Sequence, residues 1–165
     1  MADQLPVFVL VTVDVCGPCK GFKKDYWDSL RKTLEDSKSV RIKHINLAGF
    51  DSPLPADVPA DIKRFIPHYP SFILVSADSW NRKGSLDAVV FNMEKNAEGK
   101  LVSVAPEKRM KYSEIPKWVS DNITALKRPT EMVKLVDDRK PIHRPTDGQV
   151  FKVPTYCSNK FVGNE

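Results

Sequence analysis

The chain has 165 residues, 41% of them hydrophobic, which suits one domain with additions and excludes global disorder. Its formal charge of +5 is spread in pairs such as Lys23-Lys24, Arg31-Lys32, Lys108-Arg109 and Arg139-Lys140. No nucleic-acid module signature accompanies these pairs, so they imply weak attraction to acidic partners and no specific nucleic-acid partner. No apolar run approaches a membrane span, and Asp3 stands where a signal peptide would be basic, so a cytoplasmic chain is expected.

The first element is the apolar run Val7-Phe8-Val9-Leu10-Val11-Thr12-Val13; residues 6–13 read as a buried central strand. Cys16-Gly17-Pro18-Cys19 follows at once. Residues 17–35 then read as a helix, with Cys19, Phe22, Tyr26, Leu30 and Leu34 on one stripe and Trp27 widening it. The dithiol therefore falls at a strand-to-helix junction. There Cys16 meets the unpaired N–H groups and the positive end of the helix dipole, which favour a thiolate. Cys19 lies one turn along, close enough to close a disulfide. Pro18 costs little in a first helical turn. This places Cys16 as the more exposed and more acidic thiol and Cys19 as the buried one.

Residues 39–47 read as a second strand, alternating at Val40, Ile42 and His44. A surface loop from Ala48 to Pro59 carries Pro53, Pro55 and Pro59, and serves either recognition or no purpose of its own. A short helix over 59–66 leads to His68-Tyr69-Pro70 and a strand over 71–76. Turns are expected at Lys83-Gly84 and Glu98-Gly99. Strands are expected over 88–93 and 101–104, the latter as an added edge or an extension of the hairpin. Ser113 is placed to cap a last helix ending near Leu126, whose core face is Ile115, Trp118, Val119, Ile123 and Leu126.

In this order of elements, with Cys-Gly-Pro-Cys before a helix and a proline opening a later strand, residues 5 to 126 resemble thioredoxins. The resemblance implies an α/β thioredoxin fold, a central mixed sheet flanked by helices. It also implies a cis Pro70 facing the dithiol, with Ser71 where the family usually has Thr. Cys16 would attack a protein disulfide and Cys19 would resolve the mixed disulfide. Val15, Gly17, Pro18, Tyr69 and Pro70 would contact the substrate, and electrons would come from an external thiol reductant, with no organic cofactor. The sequence departs from the family at three places. Val15 replaces the usual Trp, Leu10 replaces the buried Asp, and His44, or Lys43 beside it, stands for the usual Lys. With Leu10 in place of the acid, a slow resolving step is expected. The usual N-terminal strand and helix are not expected either, since Cys16 comes so early.

Residues 127–165 form a second region, a basic arm with eight Lys/Arg against five Asp/Glu and four prolines. Its many apolar groups need a surface, so an extended arm anchored by Phe151, Tyr156 and Phe161 is expected, against the chain's own sheet edge or a neighbouring subunit. This arm supports a second reading, an interaction component of a larger assembly. The build is similar in style to divergent thioredoxin-like proteins of large DNA viruses, which makes the virion the alternative location. Cys157 reads as a small, semi-buried residue, or else as an intermolecular or redox-sensitive thiol. A zinc site from Cys16, Cys19, Cys157 and one of His44, His68 or His143 is disfavoured by the strand–helix context, so no metal is expected.

Overall fold

The structure is a computed structural model and describes residues 4–82, 85–127 and 157–158. The Lys83-Gly84 turn and the anchors Phe151, Tyr156 and Phe161 lie outside the described residues. The chain folds as α/β around a four-stranded sheet. The strands are β1 (Val7–Val13), β2 (Arg41–Leu47), β4 (Ser71–Val75) and β5 (Ala88–Val90), in the order β2-β1-β4-β5. Strand β1 runs parallel to β2, from Val7 opposite Arg41 to Val13 opposite Leu47. It runs antiparallel to β4, and β4 antiparallel to β5. This mixed sheet flanked by helices is compatible with a thioredoxin-like fold.

All seven residues of β1 are buried because both faces of the sheet are covered. Its odd-numbered residues, Val7 to Val13, join Ile45, Ile62, Phe65, Ile73 and both Cys16 and Cys19 in one apolar cluster. Phe8 and Leu10 point the other way, into a cluster with Phe22, Trp27, Leu30, Phe72, Trp118 and Ile123. Period-two alternation thus sorts the strand between two cores, and the dithiol belongs to the odd one.

The first helix is broken where the sequence pattern is continuous. Helix α1 (Gly17–Phe22) passes through a π-helical stretch, Lys23–Trp27, into α2 (Asp28–Ser37). The wider turn admits an extra residue and shifts the register of the faces. Trp27, 7% exposed, takes the core position expected for Tyr26, which is 45% exposed and stacks on Phe22. The expected stripe is corrected accordingly: Phe22, Trp27, Leu30 and Leu34 form the core face.

The expected helix over 59–66 is a 3₁₀ helix, Ala60–Phe65. The expected strand over 88–93 breaks at Asn92, whose φ of 61° ends β5 and begins β6 (Met93–Lys95). Strand β7 (Leu101–Ser103) pairs with β6 in a separate hairpin and is not an edge of the main sheet. Its turn holds Gly99 at φ 81°, a conformation that suits glycine. Helix α3 (Ala77–Asn81) was not anticipated; Ser76 caps it by accepting the Ser79 N–H. Helix α4 (Ile115–Lys127) begins after a 3₁₀ turn, Tyr112–Glu114, in which the Glu114 carboxylate accepts the Lys111 N–H at 2.6 Å. Glu114 thereby closes the turn that leads into the helix. Among the described residues no helix is long and apolar enough to cross a membrane.

Candidate functional site

Strand β1 delivers Cys16 to the N-cap of α1, where φ −94° and ψ 117° keep it extended while its carbonyl accepts the Lys20 N–H. Pro18 occupies the first turn, where no partner for its nitrogen is needed. Cys16 and Cys19 approach within 3.3 Å. Across the site, strand β3 (His68–Tyr69) precedes Pro70, and the Tyr69–Pro70 peptide is cis, as the resemblance implies. The Cys16 Sγ lies 3.7 Å from the Tyr69 carbonyl oxygen.

The expected order of exposure does not hold. Cys16 is 1% exposed and Cys19 0%, because Cys16 is covered by a strand from the C-terminal region. That strand, β8 (Cys157–Ser158), pairs antiparallel with β3, setting Cys157 opposite Tyr69 and Ser158 opposite His68. Cys157 is bonded to Cys16 in a disulfide, with 6.5 Å between the Cα atoms. Cys157 is semi-buried, as expected, but it is bonded within its own chain and not to another, and Cys19 is the free cysteine. Two thiols of the paper zinc set are spent in this bond, and among the described residues no metal-ligating cluster forms.

Of the residues expected to meet a substrate, Val15 and Gly17 are exposed and Pro18 half-buried, whereas Tyr69 and Pro70 are buried. The Tyr69 side chain is held by the Ala48–Pro59 loop, whose Phe50 ring lies 5.6 Å from the Tyr69 ring. Val58 from the same loop is buried in the core, and Lys43 ties the loop to β2 through Asp57. The loop is thus a wall of the site. Burial, with Cys19 and Asp51 nearby, pushes the Tyr69 hydroxyl up to about 12, so it stays protonated.

Burial also pushes the Cys19 thiol above its usual range, opposed by a hydrogen bond with the Val13 backbone and by the Lys23 ammonium. Leu10 stands opposite His44 in the β1–β2 register. His44 faces away from the thiols, toward Thr12 and Trp27: its Nε2 lies 2.8 Å from the Thr12 hydroxyl. That hydroxyl donates to Asn46 Oδ1 at 2.6 Å, so the imidazole donates to Thr12 from Nε2. Asn46 in turn donates to Asp14 and accepts from Lys23. This Thr12–Asn46–Asp14–Lys23 network is missing from the sequence reading. Its only signal there is Thr12, a polar residue inside an apolar strand. Through Lys23 it brings a cation to bear on Cys19, the charge that offsets part of the burial cost.

No protein-family model matches this chain, and no curated protein matches it.

His68 offers a test of how tightly this region is closed. Burial, chiefly, holds its imidazole down to about 4, against a bond to the Pro70 carbonyl at 3.1 Å and with the Arg109 charge adding to the depression. The unfolded chain binds the proton near the ordinary value of about 6.5, so between pH 6.5 and 4 the unfolded state carries more protons. Stability contributed by neutral His68 is complete above pH 6.5 and is lost as pH falls toward 4. Urea unfolding at pH 7 and pH 4.5 should show a drop of about 2–3 kcal/mol that is smaller in His68→Gln. Equal drops in the two proteins would place His68 in water.

Proposed function

We propose that this chain is a thioredoxin-like thiol–disulfide oxidoreductase. One observation carries the reading. Cys16 sits at a helix N-cap within 3.3 Å of Cys19 and is already joined to a cysteine on a strand paired with β3. That is the arrangement a mixed disulfide needs: an extended segment held by backbone bonds, its sulfur on the nucleophile, and a second thiol beside it.

In the proposed reaction an external thiol reductant first reduces the Cys16–Cys157 bond; the freed Cys16 thiolate then attacks a protein disulfide and bonds to one sulfur while the other leaves as a thiolate. Cys19 then attacks the Cys16 sulfur. The Cys16–Cys19 disulfide forms, and the second substrate sulfur leaves reduced. The two electrons given to the substrate are restored by an external thiol reductant. The N-terminal turn of α1 stabilises the Cys16 thiolate both as attacker and as leaving group. Lys23 does the same for Cys19, whose burial otherwise slows its deprotonation. Val15, Gly17 and Pro18 are the accessible rim that meets a partner, and Tyr69 and Pro70 contribute backbone at its floor. A cytoplasmic setting fits this chemistry.

The alternative, an interaction component of an assembly such as a virion, draws its support from the arm. The described piece of that arm, Cys157–Ser158, lies on the chain's own β3, which favours the enzyme reading. Insulin disulfide reduction with dithiothreitol tests it. The intact protein should accelerate precipitation of the insulin B chain, and Cys16→Ser should reduce the rate to that of dithiothreitol alone. An intact protein no faster than the reductant alone would leave the assembly reading standing.

A further inference from the structure

We propose that Cys157 is a third redox thiol of this site. It exchanges with Cys19 for the sulfur of Cys16, and in its bonded form it seats β8 over Cys16 as a cap. The inference rests on the oxidoreductase reading only for its consequence in turnover; the exchange itself stands on geometry. Cys157 is held by two independent connections, the disulfide to Cys16 and the antiparallel pairing of β8 with β3, in which it stands opposite Tyr69. It also packs on the cluster that contains Cys16, Cys19 and Tyr69. A cysteine placed by backbone pairing next to a reactive thiol has a high effective concentration there, so internal exchange competes with any external thiol.

The exchange balances within the chain. The Cys19 thiolate attacks the Cys16 sulfur, the Cys16–Cys19 bond forms, the Cys16–Cys157 bond breaks, and Cys157 leaves as a thiolate that takes up the proton lost by Cys19. No electron enters or leaves. Cys19 approaches Cys16 within 3.3 Å, so the thiol that would attack is a direct neighbour of the bonded sulfur's residue. Burial keeps Cys19 as the thiol, which slows the attack and so lets the Cys16–Cys157 bond persist. In that isomer both groups another disulfide would need are occupied. The Cys16 sulfur is bonded, and the β3 backbone is paired. The cap therefore shields Cys16 until exchange uncovers it as the Cys16–Cys19 disulfide or reduction frees it as a thiol.

A disulfide map of the oxidised full-length protein tests this without any activity measurement. Non-reducing trypsin digestion leaves Cys16 and Cys19 together on Met1–Lys20 and Cys157 on Val153–Lys160. With free thiols blocked by N-ethylmaleimide at mildly acidic pH under denaturing conditions before digestion, the joined pair of peptides should be the major form in the intact protein. It should be the sole disulfide in Cys19→Ser and be lost in Cys157→Ser, all from monomeric material. Cys16 in Cys157→Ser, oxidised to the Cys16–Cys19 form, should be reduced by thioredoxin-sized protein dithiols faster than in the intact protein. Only the Cys16–Cys19 bond in the intact protein, or the joined peptides only in a covalent dimer, overturns the proposal. Joined peptides together with no insulin reduction would keep the third thiol and remove the oxidoreductase reading; the reverse result would do the opposite.

Discussion

Phe72→Ala should cost about 3–5 kcal/mol of stability, the range for removing a fully packed aromatic ring from a core. Phe72 is 2% exposed and is the second residue of β4, two residues after Pro70. Its ring meets Phe22 edge-on at 4.8 Å between centroids, Tyr112 at 5.5 Å, Phe91 at 5.8 Å and Phe8 at 6.4 Å. These partners come from α1, the turn before α4, the end of β5 and β1, so one ring ties the sheet to both helices of that face. Edge-to-face pairs add about 0.5–1.5 kcal/mol beyond area burial. A domain with a total stability of 5–15 kcal/mol would be left marginal, with a melting temperature lower by on the order of 10 °C. Urea unfolding measures the difference. Val102→Ala on the exposed face of β7 is the control, within about 0.5 kcal/mol of the parent. A Phe72→Ala effect as small as the control's would mean that the aromatic cluster does not hold the two layers together.

The second large effect concerns the covalent tie between the ends of the described fold. In Cys19→Ser the one disulfide available within the chain is Cys16–Cys157, which closes a loop of 141 residues. Constraining the unfolded chain over that length is worth up to about 5 kcal/mol on the chain-entropy account. The oxidised variant should therefore unfold at markedly higher urea than the same variant with its thiols reduced. The denaturant dependence should fall as well, because the cross-linked unfolded state is more compact. Comparing Cys19→Ser with Cys19→Ser/Cys157→Ser under oxidising conditions isolates the bond. A difference below about 1 kcal/mol would show that the native state gives back in distortion what the loop closure supplies.

Much of the fold was legible in the residues. Val7–Val13 could be read as a central strand because seven consecutive core-compatible residues suit only an element covered on both faces. The Cys16 position followed from the same strand ending three residues before a proline-containing first turn. Helix α4 followed from its apolar spacing. The sequence pattern misled where a local choice in the backbone moved faces by one residue. The π-helical stretch at Lys23–Trp27 exchanges Tyr26 for Trp27, and the left-handed Asn92 turns one expected strand into two. The π-helical stretch has no side-chain signature, and Asn92 carries a weak one, since asparagine visits the left-handed region more readily than most residues.

The site divides in the same way. The amino-acid sequence by itself determined the dithiol, its place at a strand–helix junction and the proline that opens β4, because these depend on neighbours within a few positions. Only the tertiary structure decided that Cys157 bonds to Cys16, that β8 closes over β3, and that Thr12, Asn46, Asp14 and Lys23 join in one network. Those relations join residues as far as 141 positions apart. Chain spacing carries no information about which distant cysteine the folded backbone brings to a thiol; register between paired strands supplies it. The same closure reverses the exposure expected for Cys16. A helix N-terminus can make a thiol acidic from local geometry, but whether solvent reaches it depends on what the rest of the chain lays across it.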